Sequence, residues 1–303
     1  MTLVECIPNF SEGRRRSVID ALVGAVTAVP GVSLLDAHSD PDHNRSVLTL
    51  AGEPQPVLEA VYAAIARAAE LIDLDGQRGQ HPRIGAADVV PFVPLEGLML
   101  QDCVGFANQL GERVGRELGI PVYLYEAAAT RPARVNLAEV RRGEYEGLKT
   151  AIETDPERAP DYGPSHLGKA GAVAIGARLP LIAYNVYLNT DDVEIARKIA
   201  ESIRFSGGGL AHVKALGLLV GGRAQVSMNL TDYTRTSLPR VMEMIRSEAA
   251  RYGVAVQSAE LVGLIPQAAL IEAARWYLQL DGFEPNQILE DRLRSRLNSP
   301  PQV

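Results

Sequence analysis

The hydrophobic pattern is clearest in the second half of the chain, where short apolar runs alternate with amphipathic segments. Four mostly apolar runs predict strands, at 180–188, 211–219, 223–231 and 254–262. Two segments between them predict helices whose apolar stripes are formed by Ile195, Ile199 and Ile203 and by Leu238, Val241, Met242, Ile245 and Ala249. Thr190 and Ser237 are suited to cap these helices, and Gly221 with Gly222 to turn a hairpin. The order β-α-β-β-α-β is that of a ferredoxin-like unit.

The first half repeats this order. Apolar runs predict strands at 3–8, 32–36, 46–51 and 88–93. A helix is predicted after Ser11, with an apolar stripe formed by Val18, Leu22, Val26 and Val29, and a second helix is predicted over 54–73. A further helix near 100–118 and a strand at 121–124 are predicted to extend the unit. We therefore predict an α/β (α+β) fold of two tandem ferredoxin-like split βαβ subdomains, 1–178 and 179–303, with a ligand cleft or tunnel between them.

Residues 155–178 join the two predicted subdomains and concentrate helix- and strand-breaking residues, namely Pro156, Pro160, Gly163, Pro164, Gly168, Gly171 and Gly176. Such a stretch cannot be regular helix or central strand throughout. Two interpretations fit it. It is either an interdomain linker or a loop that closes over a ligand with its backbone amides, His166 and Lys169.

The composition is that of a folded globular protein, with 47% hydrophobic and 22% charged residues in a chain of 303. The net charge of −7 disfavours nucleic acid and anionic membranes as partners. No apolar run has the length of a membrane span, and the basic run at the N-terminus follows its apolar stretch, so we expect a cytoplasmic protein. Cys6 and Cys103 are far apart and are expected to be core residues.

Residues 36–46 contain five side chains of types that bind metals, Asp36, His38, Asp40, Asp42 and His43. Their spacing matches no common metal motif, so no metal is predicted. The segment is then either a plain turn, in which Asn44 tolerates an unusual backbone conformation, or a polar ligand site. In a ligand site, His38 and Asp40 would orient a ligand or relay protons, and Arg45 would bind a carboxylate. Asn44 is then predicted to bind substrate with them.

The segment GQRGQHPRIGAAD at 76–88 places His81 before Pro82, which favours an extended backbone, and between Gly79 and Gly85. His81 is either a solvated loop histidine or an acid/base group that faces a ligand. In the second interpretation, Arg83 lies on the same side of the chain and favours the neutral imidazole that a general base needs. The chain lacks the G-x-S-x-G, P-loop and G-x-G-x-x-G motifs, so a serine hydrolase and a nucleotide-binding protein are not supported.

Seven segments, taken together and in this order, resemble the glutamate formimidoyltransferase family. They are LVECIPNFSEG (3–13), HNRSVLTLAG (43–52), GQHPRIGAADVVPFVPL (79–95), PVYLYEAA (121–128), RRGEYEGL (141–148), DYGPS (161–165) and ELVGLIP (260–266). The resemblance covers nearly the whole chain, which makes it more specific than any single motif.

The resemblance implies transfer of the formimino group of N-formimino-L-glutamate to N5 of tetrahydrofolate in histidine degradation, by a protein that is usually a homodimer. It implies no cyclodeaminase domain in these residues. His81 matches the family's catalytic histidine. The family's folate-binding segment falls on Tyr162, Gly163, Pro164, Ser165, His166, Leu167, Gly168, Lys169, Ala170 and Gly171. Both substrates carry glutamate carboxylates, for which Arg45 and Arg83 are the predicted partners.

Two alternatives remain open at this point. The same scaffold could act on a related one-carbon donor, such as formiminoglycine or 5-formyltetrahydrofolate. It could also be a folate-binding protein without turnover. Loss of transfer in a His81→Ala variant would separate an enzyme from a binding protein, because a binding protein has no transfer to lose.

Overall fold

The computed structural model describes residues 2–79 and 81–297; residues 298–303 of the predicted second subdomain lie outside the described part. The chain divides into two compact units, Met1–Leu179 and Pro180–Val303. Each unit has its own β-sheet, one mixed and one antiparallel, so the predicted α+β fold in tandem units is confirmed. Among the described helices, none has both the length and the apolar character needed to cross a bilayer.

The first unit contains strands β1 (Leu3–Cys6), β2 (Asn9–Phe10), β3 (Val32–Asp40), β4 (Arg45–Gly52), β5 (Ala87–Glu96), β6 (Val122–Glu126) and β7 (Val173–Ala177). Its helices are α1 (Arg16–Thr27), α2 (Pro54–Leu71), α3 (Leu100–Arg113), α4 (Leu137–Val140) and α5 (Glu144–Thr154). A π-helical turn over Val114–Leu118 continues α3. The predicted strand 3–8 is split, and β1 and β2 both lie between β4 and β5.

The strand order β3-β4-β1/β2-β5 is ferredoxin-like, and β7 and β6 extend the sheet in parallel beside β5. Apolar side chains from one face, such as Leu48 and Phe92, join those of the helices α1, α2 and α3 in a large core. A smaller core on the other face packs Val89 and Tyr125 against Val140 and Leu148 of α4 and α5. This second core is built on β5, β6 and β7, and β4 contributes no residue to it.

The linker interpretation of 155–178 is wrong for its last part. Residues Val173–Ala177 form β7, which lies between β5 and β6 and is fully buried. The ring of Tyr125 on β6 explains the glycine in this central strand, because a Cβ on Gly176 would lie 2.6 Å from its ring atoms. The residues before β7 remain irregular and lie within the first unit.

The second unit contains β8 (Ile182–Leu188), α6 (Val193–Ile203), β9 (Val213–Val220), β10 (Arg223–Leu230), α7 (Leu238–Arg251), β11 (Val256–Val262), α8 (Gln267–Leu278) and α9 (Leu289–Leu297). Its antiparallel order β11-β8-β10-β9 is the ferredoxin-like order. Gly221 and Gly222 turn the β9–β10 hairpin with φ of 56° and 74°, as predicted.

Two details of the second unit differ from the prediction. Asp192, rather than Thr190, caps α6, because its carboxylate accepts a hydrogen bond of 2.9 Å from the amide of Glu194. The helices α8 and α9 were not predicted. Both leave most of their apolar side chains exposed, so neither has the clear buried stripe on which helix prediction relies.

Candidate functional site

The β3–β4 hairpin brings several predicted site residues to one place. The strand β3 continues to Asp40, so His38 and Asp40 lie in a strand and not in the predicted loop. Antiparallel pairing sets Asp40 opposite Arg45 and His38 opposite Val47. In a β-sheet, residues two apart on one strand lie on the same face, and so do residues that pair directly across two strands. His38, Asp40 and Arg45 therefore point to the same side of the sheet. The buried Leu48 points to the helix side.

Asn44 holds the turn of this hairpin with φ of 51°. Its Oδ1 accepts a hydrogen bond of 2.9 Å from the amide of Gly13, and its Nδ2 donates one of 2.9 Å to the carbonyl of Arg78. A Cβ on Gly79 would lie 2.3 Å from the carbonyl oxygen of His43. Asn44 therefore has a structural role, which is to fasten the hairpin to the loop that leads to His81.

His81 lies half-buried beside this hairpin. Its Nε2 has no hydrogen-bond partner in the described part of the chain and is shielded from solvent. Its ring is edge-on to that of His43, with centroids 6.4 Å apart. Burial, then the guanidiniums of Arg45 and Arg141, then His43, lower the pKa of His81 to about 3, while Asp40 opposes them. The imidazole is therefore uncharged at neutral pH.

The neutral imidazole agrees with the prediction, but the cations that favour it are Arg45 and Arg141, not the predicted Arg83. Arg83 is buried, and its Nε donates to the side chain of Gln77 at 2.7 Å. Its Nη atoms donate to Glu146 at 2.8 and 3.0 Å and to Glu144 at 3.2 Å. With these donors engaged, Arg83 has a structural role in the described chain, and the geometry gives no support to the predicted bond with a substrate carboxylate.

Arg141 is the functional candidate that sequence reasoning missed. It follows α4 as its C-terminal cap, and its guanidinium forms an ion pair with the buried carboxylate of Asp88. The other oxygen of Asp88 accepts a hydrogen bond of 2.7 Å from the amide of Ile84. The only sequence signal was the position of Arg141 at the start of RRGEYEGL. That segment is far from His81 along the chain, and pairing with Asp88 brings it close.

The glycine-rich segment lies against the segment that carries His81. Gly171 forms a β-bridge with Gly85, and the amide of Ala86 donates to the carbonyl of Ala170 at 2.8 Å. The contact needs glycine on both sides. A Cβ on Gly85 would lie 1.7 Å from the carbonyl oxygen of Ala172, and Gly171 has φ of 68°.

The other residues of the predicted folate segment are spread along this loop. The hydroxyl of Tyr162 donates to Asn108 at 3.0 Å, and Gly163 has φ of 84°. Lys169 is exposed and its Nζ lies 3.0 Å from Asp73, while its carbonyl accepts from the amide of Leu74 at 2.9 Å. Leu167 and Ala170 pack against the core. The exposed or half-buried remainder comprises Pro164, Ser165, His166 and Gly168.

The predicted absence of a metal site stays a prediction. Within residues 2–79 and 81–297, no group of three or more His, Cys, Asp or Glu side chains is arranged to hold a metal ion. In the β3–β4 hairpin, both carboxylate oxygens of Asp40 already have partners within the protein. Its Oδ1 accepts from the amides of Asp42 and His43, both at 2.9 Å, and its Oδ2 lies 2.7 Å from Nδ1 of His43.

Comparison with known proteins gives two family matches. The model described as formiminotransferase domain, N-terminal subdomain, matches residues 3–178, and the model described as formiminotransferase domain matches residues 183–297. Glutamate formimidoyltransferase of Thermoplasma acidophilum is 51% identical, over 98% of this chain and 99% of that protein. The protein of the same name from Streptococcus pyogenes is 50% identical, over 96% of this chain and 98% of that protein.

A longer relative matches over part of its length. Formimidoyltransferase-cyclodeaminase of Mus musculus is 41% identical, over 97% of this chain and 55% of that protein. The resemblance that the seven sequence segments suggested is thus confirmed.

Proposed function

The chain belongs to the formiminotransferase family, and from that premise we propose that it is a glutamate formimidoyltransferase. It transfers the formimino group of N-formimino-L-glutamate to N5 of tetrahydrofolate, a step of histidine degradation. The observation that carries this proposal is the Nε2 of His81. It is buried, uncharged at neutral pH and without a protein partner in the described residues, so it is available to a substrate.

In this reaction a proton leaves N5 as it attacks the amidine carbon, and a proton must reach the departing glutamate nitrogen. We assign both transfers to Nε2 of His81, acting first as general base and then as general acid. One well-placed histidine contributes about 10²- to 10⁴-fold to such a step. Because the attacking nitrogen belongs to the folate, no activated serine or cysteine is required. The two cysteines, Cys6 and Cys103, are free and buried, in keeping with a core role.

We assign the pterin co-substrate to the glycine-rich segment, residues 162–171, as the family resemblance implies. The contact between Gly171 and Gly85 supports this assignment, because it fastens the segment to the chain that carries His81. Holding two substrates in register beside one acid/base group supplies much of the remaining rate enhancement.

Three further expectations belong to the proposal. We expect the boundary between the two family subdomains to lie between residues 178 and 179. We also expect the protein to be a cytoplasmic homodimer. Analytical ultracentrifugation of the full chain tests the oligomeric state, with a mass near twice the monomer expected and a monomeric mass contradicting it.

The experiment that tests the proposed function is an assay of the purified chain with N-formimino-L-glutamate and tetrahydrofolate. The decisive variant is His81→Asn, which removes the acid/base group and keeps a polar side chain of similar size. The matched control is His212→Asn in the second unit, because His212 has φ of 61°, a conformation that asparagine tolerates. Tetrahydrofolate affinity is measured for all three proteins.

We expect transfer by the native chain and by His212→Asn, and a loss of about 10²-fold or more in His81→Asn at unchanged folate affinity. Folate binding without transfer in the native chain would contradict the proposed donor. Formiminoglycine and 5-formyltetrahydrofolate would then be the next donors to assay. If none of them reacts, the chain is a folate-binding protein.

A further inference from the structure

Three buried nitrogen atoms without partners lie around the site. The Nε atoms of Arg45 and Arg141 and the Nε2 of His81 are shielded from solvent, and none has a hydrogen-bond partner in the part of the chain that the structure describes. A buried donor that is left without a partner is unfavourable, because it has lost its hydrogen bonds to water. Burial lowers the pKa of Arg45 most and the charge of Arg141 lowers it further, while Asp88 and Asp40 oppose them, so the two guanidiniums repel each other. An anion bound between the guanidiniums would satisfy the free donors and offset this repulsion.

Asp88 and Asp40 are the carboxylates whose charges act on Arg45, and both already have hydrogen-bonding partners. Asp88 pairs with a terminal nitrogen of Arg141 and accepts from the amide of Ile84. Asp40 accepts from two backbone amides and lies at hydrogen-bond distance from His43. Neither of them covers the Nε atoms of Arg45 and Arg141. Each arginine therefore has an Nε donor without a partner in the described residues, and both guanidiniums act electrostatically on the imidazole of His81.

We propose that Arg45 and Arg141 form a subsite for a carboxylate of the formimino donor, and that the carboxylate bound there allows His81 to hold a proton. The inference rests on the proposed function and deepens it, because it assigns the site to an anionic donor. A donor of the same shape that carries amides in place of carboxylates would neither fill the subsite nor activate His81.

The effect of the bound carboxylate on His81 is electrostatic. With a pKa of about 3, His81 is protonated at pH 7 in about one molecule in 10⁴. Its Nε2 is free of partners in the described residues, but at this pKa it accepts the proton of N5 only weakly and is too rarely protonated to serve the departing amine. Both transfers therefore require the pKa of His81 to rise when the donor binds. The charged and titratable groups that act on His81 are Arg45, Arg141, His43 and Asp40. An anion between the two guanidiniums offsets the two largest charge effects and favours the imidazolium.

The test follows the protonation of His81 in the full chain by NMR of nitrogen-labelled imidazole. The probes are glutarate, a dicarboxylate without a formimino group, and glutaramide, its uncharged diamide. We expect saturating glutarate to raise the pKa of His81 by about 1–3 units, the range for a nearby opposite charge, and glutaramide to leave it unchanged. No change with glutarate up to high concentration would overturn the proposal.

Variants connect the response to the two arginines. Arg45→Gln and Arg141→Gln each remove one cation, so each should raise the pKa of His81 in the free protein and weaken the response to glutarate. Arg141→Lys keeps the charge beside Asp88 and should retain part of the response if the glutamine variant fails to fold. The control is Arg142→Gln, because Arg142 is exposed and pairs with Glu139. It should behave as the native chain does.

Kinetics separate the failure of the subsite from the failure of the proposed function. We expect Arg141→Gln to raise the KM for N-formimino-L-glutamate by about tenfold or more, with the KM for tetrahydrofolate within threefold, as for a lost charge-assisted hydrogen bond. A change in the folate KM alone would overturn the proposal by placing a folate carboxylate there. Transfer without a glutarate response contradicts the subsite only, and a glutarate response without transfer contradicts the proposed activity only.

Discussion

The imidazole of His43 meets that of His81 edge-on, with ring centroids 6.4 Å apart and ring planes at 70°. His43 is held in this position by Asp40, whose Oδ2 lies 2.7 Å from its Nδ1. An exposed histidine that pairs with a carboxylate thus borders a half-buried histidine whose Nε2 is free of protein partners in the described residues. The two rings belong to segments that the Asn44 side chain fastens together.

The first prediction concerns this pair. Because the charge of His43 helps to lower the pKa of His81, His43→Gln should raise the pKa of His81. The rise should be smaller than that produced by Arg45→Gln, since the guanidinium is the larger cause. An NMR titration of labelled imidazole measures both. Asp42→Asn, in the exposed turn, is the control and should leave the value unchanged; a fall in the His43 variant would contradict the assigned electrostatics.

The second prediction concerns stability and pH. The pKa of His81 is about 3 in the folded chain and 6.5 for an unperturbed histidine, the value taken for the unfolded chain. As the pH falls, the unfolded chain therefore takes up this proton before the folded chain does. The contribution of His81 to stability is therefore fully present above pH 6.5 and is lost as the pH falls toward 3. Between pH 7.5 and 4.5 the loss amounts to about 2–3 kcal/mol.

Urea unfolding of the native chain and of His81→Asn at the two pH values isolates this contribution. Other titrating groups are common to both proteins and cancel in the difference. The free energy of unfolding of the native chain should fall further on acidification than that of the variant. Equal pH dependence in the two proteins would show that His81 titrates normally in the folded state.

The third prediction concerns the contact between the His81 segment and the glycine-rich segment. In Gly85→Ala the new Cβ would lie 1.7 Å from the carbonyl oxygen of Ala172, so the two segments must separate. We expect a loss of stability of about 3 kcal/mol together with loss of transfer. Gly24→Ala is the matched control, because a Cβ in that helix meets nothing within 4 Å and should stabilise by about 0.5–1 kcal/mol.

Urea denaturation midpoints of the two alanine variants give the comparison. A stable, active Gly85→Ala variant would mean that the β-bridge between Gly85 and Gly171 is dispensable. The site would then not depend on how closely these two segments approach.

The hydrophobic pattern of the chain predicts the fold class, and local residue types predict the position of the acid/base candidate. Stripes such as Val18, Leu22 and Val26 determine a helix because one helical face must be buried, and the pair Gly221-Gly222 determines a hairpin because its φ values suit glycine. His81 was found because local residue types and the family motif coincide at one place in the chain.

The charges around that histidine come from contacts between segments that are distant in the chain. Arg83 is two residues away in sequence, yet Glu144 and Glu146 hold its guanidinium, whereas Arg141 is distant in sequence and acts on the imidazole. The glycine-rich stretch likewise becomes a central strand at β7 because β5 and β6 supply its partners. Electrostatic effects and strand pairing depend on distance in space, and the spacing of residues along a chain does not encode that distance.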